Sequence, residues 1–297
     1  IIENMNTKLI FRETFKAVRL KQWTKNILIF TPVFFANKVD YSSLIELLKI
    51  FFGFSVVVSS TYIFNDLKDI KADKQHPTKK LRPVANGNLS INYWKRVSFF
   101  LLIIGSYILI KINLNAFYLA IVYCILTMSY SIKLKYIKFI DLLSISILFS
   151  IRILIGGIVV SVPISYELGF FVFLSSLGIV STKKLSILLD KNIPNTKIKI
   201  FLTDNYPIKT FKRIIIFSFT SSVLTYAYWI INTTSFQNLL TNVYYFISLV
   251  SLVFFKYHFT KESFLGNAED IFNLVYEDKK LRIYSVIFAI SSFIVYL

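Results

Sequence analysis

Asp66, Asp69 and Asp73 fall three and four residues apart in the stretch Asn65-Asp66-Leu67-Lys68-Asp69-Ile70-Lys71-Ala72-Asp73. If that stretch is helical, the three carboxylates share one face. Like charges stacked this way repel, and two ways of offsetting them are open. One is a solvated acidic helix end paired with Lys68, Lys71 and Lys74. The other is a divalent cation: magnesium takes oxygen ligands and bridges carboxylates to phosphates. The glycine and spacing of a calcium loop are absent from the stretch, as are the His and Cys ligands that zinc favours. The chain then reads His76-Pro77-Thr78-Lys79-Lys80-Leu81-Arg82-Pro83. This is a dense basic set between two prolines that restrict the backbone. Acids followed by bases suit a metal-bound polyphosphate, with carboxylates on the cation and bases on the phosphoryl oxygens. His76 reads either as a cap or loop hydrogen bond, or as a phosphate contact or proton-transfer group.

The elements that must position these groups are membrane helices. Of 297 residues, 55% are hydrophobic, and the mean hydropathy is +0.62. A soluble globular protein is excluded by the long apolar runs, and a disordered basic tail by the apolar content. Nine stretches are candidate spans of about 20 residues: 26–39, 44–65, 94–111, 115–133, 139–161, 167–182, 213–232, 238–255 and 282–297. The first is short and holds Pro32, which predicts a kink. The reading is therefore an all-α polytopic membrane protein forming one integral domain. Residues 1–25 form a basic amphipathic segment on the membrane surface, without the apolar core of a secretory signal. Residues 66–93 form a cytoplasmic loop that carries the chemistry.

Orientation follows from the 34 lysines and arginines. Thirty lie on one side of the nine-span arrangement, with Lys38 and Lys111 on the other and Lys49 and Arg152 inside spans. The positive-inside rule makes the rich side cytoplasmic and places the N-terminus there, with Leu297 outside. The net charge of +18 also answers to anionic lipid headgroups, and no nucleic-acid partner is expected.

Asp141 and Arg152 lie eleven residues apart on one predicted helix and return to nearly the same face. An arginine at membrane depth is a functional candidate. Arg152 reads either as part of a buried structural pair or as a phosphate ligand. Lys49 reads as a snorkelling side chain or bundle contact, and Gly156-Gly157 as a site of close helix packing. Trp23, Trp94 and Trp229 are placed at membrane interfaces. The single cysteine, Cys124, can form no internal disulfide, and His258 reads as an ordinary loop residue. Asn232-Thr233-Thr234 matches a glycosylation acceptor but carries no weight here.

The motif Asn65-Asp66-x-x-Asp69-x-x-x-Asp73 resembles the first aspartate-rich motif of the UbiA superfamily of membrane prenyltransferases. That resemblance implies nine helices around a central cavity. The extension His76-Pro77-x-Lys79-Lys80-x-Arg82-Pro83 resembles the decaprenyl-phosphate phosphoribosyltransferase branch, whose members move phosphoribose. Other stretches similar to that branch are Gln22-Trp23-x-Lys25-Asn26, Tyr130-Ser131 through Lys135, and Asp141 and Arg152 with Gly156-Gly157. Ser181-x-Lys183-Lys184 and the acids Glu269 and Asp278 complete the resemblance. Two departures stand out. Ile187 occupies a place where the branch tends to carry an acid. The second aspartate-rich motif of ordinary superfamily members is reduced to Asp190 and Asp204.

The expected reaction is transfer of 5-phosphoribose from 5-phosphoribosyl-1-diphosphate to a polyprenyl phosphate, with Mg2+ as cofactor. Asp66, Asp69 and Asp73 are the expected metal ligands and Asn65 assists. Lys79 and Arg82 act on the phosphates. Lys25, His76, Lys80, Tyr130, Lys135, Asp141, Arg152, Lys183 and Lys184 are expected substrate contacts. Later dephosphorylation or epimerisation is expected to fall to separate proteins, and the oligomeric state is open. The rival enzyme reading is prenyl transfer from a prenyl diphosphate to an aromatic or lipid acceptor. The 76–83 extension and the missing second aspartate motif separate the two. A transporter is a third reading, disfavoured because no internal repeat is seen.

Overall fold

The computed structural model of the protein describes residues 2–36, 40–76, 78–190, 196–233, 239–268 and 270–294. Lys38, Pro77, Thr234, Glu269 and Leu297 lie outside the described residues. All secondary structure among the described residues is helical. The α-helices in chain order are α1 (Ile2–Val18), α2 (Leu20–Trp23), α3 (Thr31–Phe35), α4 (Tyr41–Gln75), α5 (Ile91–Ile112), α6 (Leu114–Ile132) and α7 (Ile140–Val159). They continue as α8 (Tyr166–Leu189), α9 (Lys197–Asn205), α10 (Ile208–Thr233), α11 (Leu239–Leu265), α12 (Ile271–Glu277) and α13 (Lys279–Ile294).

Among the described residues six helices are long and apolar enough to cross a membrane: α4, α6, α7, α8, α10 and α11. They correspond to six of the nine expected spans. The other three depart from that standard for visible reasons. Residues 24–35 are split between a 3-10 stretch, Thr24–Phe30, and α3. Helix α5 carries Lys95, Arg96 and Lys111 within its 22 residues. Helix α13 covers 16 residues.

The chain divides into two compact units. The first comprises Ile1–Val33, Asp40–Ile137 and Ile151–Pro163, and the second Phe34–Val39, Lys138–Ser150 and Ile164–Leu297. Helix α7 contributes its first half to the second unit and its second half to the first.

In the first unit α4 is the organising element. Asp40 caps it, with Oδ1 accepting the Ser43 N–H at 2.9 Å and the Ser42 hydroxyl at 2.6 Å. No glycine or proline follows until Gly53, and the helix runs for 35 residues, about 52 Å at 1.5 Å per residue. A hydrocarbon core is about 30 Å thick. The helix is longer than that, and the aspartates lie in its last turns, after the apolar run ends at Phe64. This corrects the expected loop at 66–93: its first ten residues are helix, which ends at His76 (φ −86°, ψ 136°). That extended backbone is the conformation a residue before proline adopts.

Helix α5 packs on α4 through small residues. A Cβ on Gly105 would lie 2.6 Å from Val57 and 2.9 Å from the Gly53 carbonyl oxygen. The Ser60 and Ser98 hydroxyls donate to each other's backbone carbonyls at 2.7 and 3.0 Å. Such close backbone approach and polar stapling is how helices associate without a hydrophobic driving force. The entry segment docks on the same helix. Trp23 Nε1 donates to Ser59 Oγ at 3.0 Å, and Asn26 Nδ2 to Ser55 Oγ at 2.9 Å. Ser55 and Ser59 are one turn apart, which gives the Trp23-x-x-Asn26 spacing its structural meaning. Gly156 of α7 meets this segment so closely that a Cβ would stand 1.9 Å from the Ile29 carbonyl oxygen.

The second unit is built on α8, α10, α11 and α13, around a core that includes Leu185, Leu202, Phe211, Phe259 and Leu281. Ile187, the departure noted above, packs against this core. Several residues move from their expected places. Lys183, Lys184 and Lys256 lie within helices, because α8 and α11 run past the expected span ends. His258 is not a loop residue; it sits on α11 and bonds Asp278. Trp94 is fully buried against Ala17, Ile63 and Val84, and Trp229 stacks on Tyr226, so both indoles pack against protein.

Gly156→Ala must push the Ile29 carbonyl aside, and overpacking of this kind costs about 1–3 kcal/mol. Its melting temperature in detergent should fall by several degrees. Gly169→Ala, where nothing lies within 4 Å, should melt as the parent does.

Candidate active site

The face of α4 that carries Asp66, Asp69 and Asp73 sits within a set of cations drawn from elsewhere in the first unit. Both oxygens of Asp66 accept from Arg19 Nη2 at 2.5 Å, and Oδ1 also accepts from Arg82 Nη1 at 3.2 Å. The same Arg82 nitrogen donates to Asp73 Oδ2 at 2.7 Å, so one guanidinium bridges two carboxylates. Lys135 Nζ donates to Asp69 Oδ1 at 2.7 Å. Asp66 is 1% exposed and Asp73 4%, whereas the Asp69 side chain is 27% exposed. Three acids are thus offset by three bases. Neither open expectation had these partners: Lys68, Lys71 and Lys74 are all exposed on α4, and the bases come from the α1–α2 junction, the 82 region and the turn after α6.

Arg19 was missed by sequence reasoning. By type and spacing it is one of six basic residues before residue 26, and nothing singles it out. Its backbone does: φ 56° and ψ 52° put a non-glycine residue in the left-handed region. That conformation costs of order 1 kcal/mol and turns the chain so that the guanidinium reaches Asp66. Tyr62 lies under it, 5.5 Å from ring centroid to Cζ. Glu13, also missed, is 2% exposed and accepts from Asn86 Nδ2 at 2.7 Å. The Thr14 and Tyr93 hydroxyls meet at 2.6 Å. These contacts dock α1 on the segment that carries Arg82.

His76 is buried at the end of α4. Its Nδ1 accepts from the Thr78 and Lys79 N–H groups at 3.3 and 3.4 Å, which gives the cap reading a concrete form. Lys79 is half-buried and Lys80 exposed. The short 3-10 turn Lys79–Leu81 ends at Arg82, whose side chain returns to the aspartates. Lys25 and Tyr130 are half-buried in the same unit, as is Asn65.

Arg152 belongs to a second polar set in the first unit. Its Nε donates to Asn26 Oδ1 and its Nη2 to the Tyr123 hydroxyl, each at 2.9 Å, and its guanidinium lies 5.0 Å from the Tyr123 ring centroid. Asp141 answers instead to the second unit. It bonds the buried Lys184 ammonium, and its Oδ1 accepts the Tyr206 hydroxyl at 2.6 Å and the Leu142 N–H at 2.9 Å. Lys183 is exposed on α8. The two residues expected on one helical face therefore each have their own partners.

The donor set on α4 is carboxylate oxygen throughout, which fits a hard divalent cation such as magnesium.

Residues 27–269 match the UbiA prenyltransferase family. Among individual proteins, the chain is 34% identical over 142 residues to protein y4nM of Sinorhizobium fredii, covering 48% of this chain and 28% of that one. It is 29% identical over 220 residues to decaprenyl-phosphate phosphoribosyltransferase of Corynebacterium glutamicum, covering 72% of this chain and 66% of that one. The chain thus spans less than two thirds of the length of either relative. A solved UbiA homolog from Archaeoglobus fulgidus bound to DMAPP and Mg2+ shares the fold at a TM-score of 0.68, with 14% identity over 96% of this chain and 99% of that one.

Two consequences for stability can be measured. Asp66→Asn removes the buried carboxylate to which Arg19 and Arg82 donate; with both guanidiniums partly exposed and Arg82 still on Asp73, the loss should be about 1–3 kcal/mol. Asp69→Asn, at a partly exposed pair, should change stability by less than about 1 kcal/mol. Asp141→Asn should destabilise as Asp66→Asn does, and the double variant Asp141→Asn/Lys184→Met should recover most of that loss. Unfolding of detergent-purified protein reads all four. Match to the family over most of its length identifies this chain as a member of the UbiA prenyltransferase family and an integral membrane protein.

Proposed function

We propose that this protein transfers 5-phosphoribose from 5-phosphoribosyl-1-diphosphate to a polyprenyl phosphate. The observation that carries the reading is the bridge of Arg82 between Asp66 and Asp73, with Arg19 also on Asp66 and Lys135 on Asp69. Acids and bases are balanced in this arrangement. A metal ion alone would overcharge it with cations, and a diphosphate alone with anions, so it suits the two arriving together. A phosphoribosyl diphosphate carries one phosphate more than a prenyl diphosphate. The supply of nearby bases, Arg19, Lys79, Lys80, Arg82 and Lys135, answers to that extra charge. Similarity to the Corynebacterium glutamicum enzyme supports the same substrate.

In this reading Asp66, Asp69 and Asp73, with Asn65 assisting, hold Mg2+, which when bound neutralises charge on the leaving diphosphate. Arg82 and Arg19 release carboxylate oxygens and take phosphoryl oxygens, a move for which the planar guanidinium is built. Lys79, Lys80 and Lys135 hold further phosphate oxygens. His76 fixes the turn that presents Lys79. Arg152, anchored by Asn26 and Tyr123, is a phosphate contact, as are Lys25 and Tyr130; Asp141 and Lys184 pair within the second unit. An oxygen of the lipid phosphate attacks the anomeric carbon. A C–O bond forms there as the bond to diphosphate breaks, and the diphosphate leaves with the electron pair. No proton has to move, since the attacking phosphate is already anionic. The chemistry belongs on the cytoplasmic side of the inner membrane, where the basic loops and a soluble sugar donor meet.

The second reading, prenyl transfer, is favoured by the DMAPP and Mg2+ named for the Archaeoglobus fulgidus homolog. Labelled phosphoribosyl diphosphate and labelled prenyl diphosphate, each offered with Mg2+ and polyprenyl phosphate or an aromatic acceptor, separate the two. Sugar label should enter the lipid phase. Asp69→Asn should lower that rate at least about 100-fold without unfolding the protein. Label entering only from the prenyl donor would establish the second reading.

A further inference from the structure

Away from the aspartates of α4, another set of potential ligands converges. One ligand atom each from His258, Glu262 and Asp278 lies within 4.8 Å of the other two, the one such trio of His, Cys, Asp or Glu among the described residues. His258 and Glu262 are one turn apart on α11 and so share a face. Asp278 stands just before α13, where its Oδ1 accepts the Leu281 N–H at 2.9 Å and its Oδ2 meets His258 Nε2 at 2.9 Å. The His258 and Asp278 side chains are 16% and 24% exposed, so the trio is reachable from solvent yet held by protein. Glu262 is positioned by Asn267 Nδ2 at 2.9 Å. It also lines an open cleft of about 430 Å³ with Asn267, Asp270, Asn273, Leu274 and Glu277. Three carboxylates around that cleft favour the approach of a cation.

We propose that His258, Glu262 and Asp278 bind a first-row divalent transition metal, zinc foremost. An imidazole with two carboxylates is a borderline donor set. It selects zinc, cobalt or manganese over magnesium and calcium, which favour oxygen alone. Bonds of about 2.1 Å set tetrahedral ligands about 3.4 Å apart, so side-chain shifts of up to about 1.4 Å bring the trio from its present spacing to that one. The fourth position faces water. The bound metal ties the end of α11 to the start of α13 across the 266–278 connection and stabilises the second unit by mass action.

The test uses the full chain without a polyhistidine tag, purified in detergent, stripped with chelator and titrated with Co2+. One equivalent should bind with a visible d–d absorption band, be displaced by Zn2+, and persist in millimolar Mg2+. His258→Ala and Glu262→Gln should each weaken binding at least about tenfold and remove the band. Asp69→Asn, at the other acid cluster, should leave the titration unchanged. Zn2+ should raise the melting temperature of the parent and not of His258→Ala. Should His258→Ala not fold, Glu262→Gln decides the matter, because it keeps an oxygen for Asn267. Absence of a saturable band at one equivalent, or titrations of the variants that overlay the parent, would overturn the site. So would loss of the band in Asp69→Asn.

Discussion

Three carboxylates on one face of one helix cannot stand together without cations, and most of the first unit is arranged to bring cations to them. Arg82 is returned to Asp66 and Asp73 by the 3-10 turn that follows His76. Arg19 reaches Asp66 only because the chain leaves α1 in a left-handed conformation. Lys135 comes from the turn after α6. Remove the acids, and each of these segments loses the reason for its path. The repulsion that would destabilise a bare helix end is therefore what assembles the surrounding structure.

Much of this was legible in the sequence. The spacing of the aspartates gave one helical face, the apolar runs gave membrane helices, and the proline-bounded basic set after His76 supplies the Arg82 that meets the aspartates. What was not legible depends on backbone geometry. Arg19 looks like any other base in a basic segment, and its role depends on a φ that arginine rarely adopts. Helix ends were misplaced where hydropathy stops but helix does not. The continuations of α4, α8 and α11 past their apolar windows place the aspartates, Lys183, Lys184, Lys256 and His258 on helices. Loops drawn from hydropathy alone hide the one-turn spacing of His258 and Glu262. Ile187 stands where an acid is expected, and its packing against the core of the second unit shows why an acid there would be costly.

Polar groups within the helices are handled by a small set of devices. Serines staple α4 to α5 and to the entry segment. Arg152 spreads its charge over an amide and an aromatic hydroxyl. Lys256 donates to Ser175 Oγ at 2.9 Å and lies 4.5 Å from the Phe219 ring centroid, a cation resting on an aromatic face. Each device lets a residue that hydrocarbon would reject remain at depth, at the cost of fixing the neighbours in place.

Helix α1 has a particular position in this scheme. It presents Phe11 and Phe15 outward, their rings stacked at 6.3 Å, beside the exposed Arg12 and Lys16, a surface suited to the headgroup layer. Its end is joined to the buried Asp66 through Arg19, to Ser59 through the Val18 carbonyl and to Trp94 through Ala17, with Glu13 and Thr14 as further holds on the unit. The helix that faces the headgroup layer and the acid cluster on α4 thus share their anchoring: any displacement of α1 would load the Arg19 guanidinium together with these contacts.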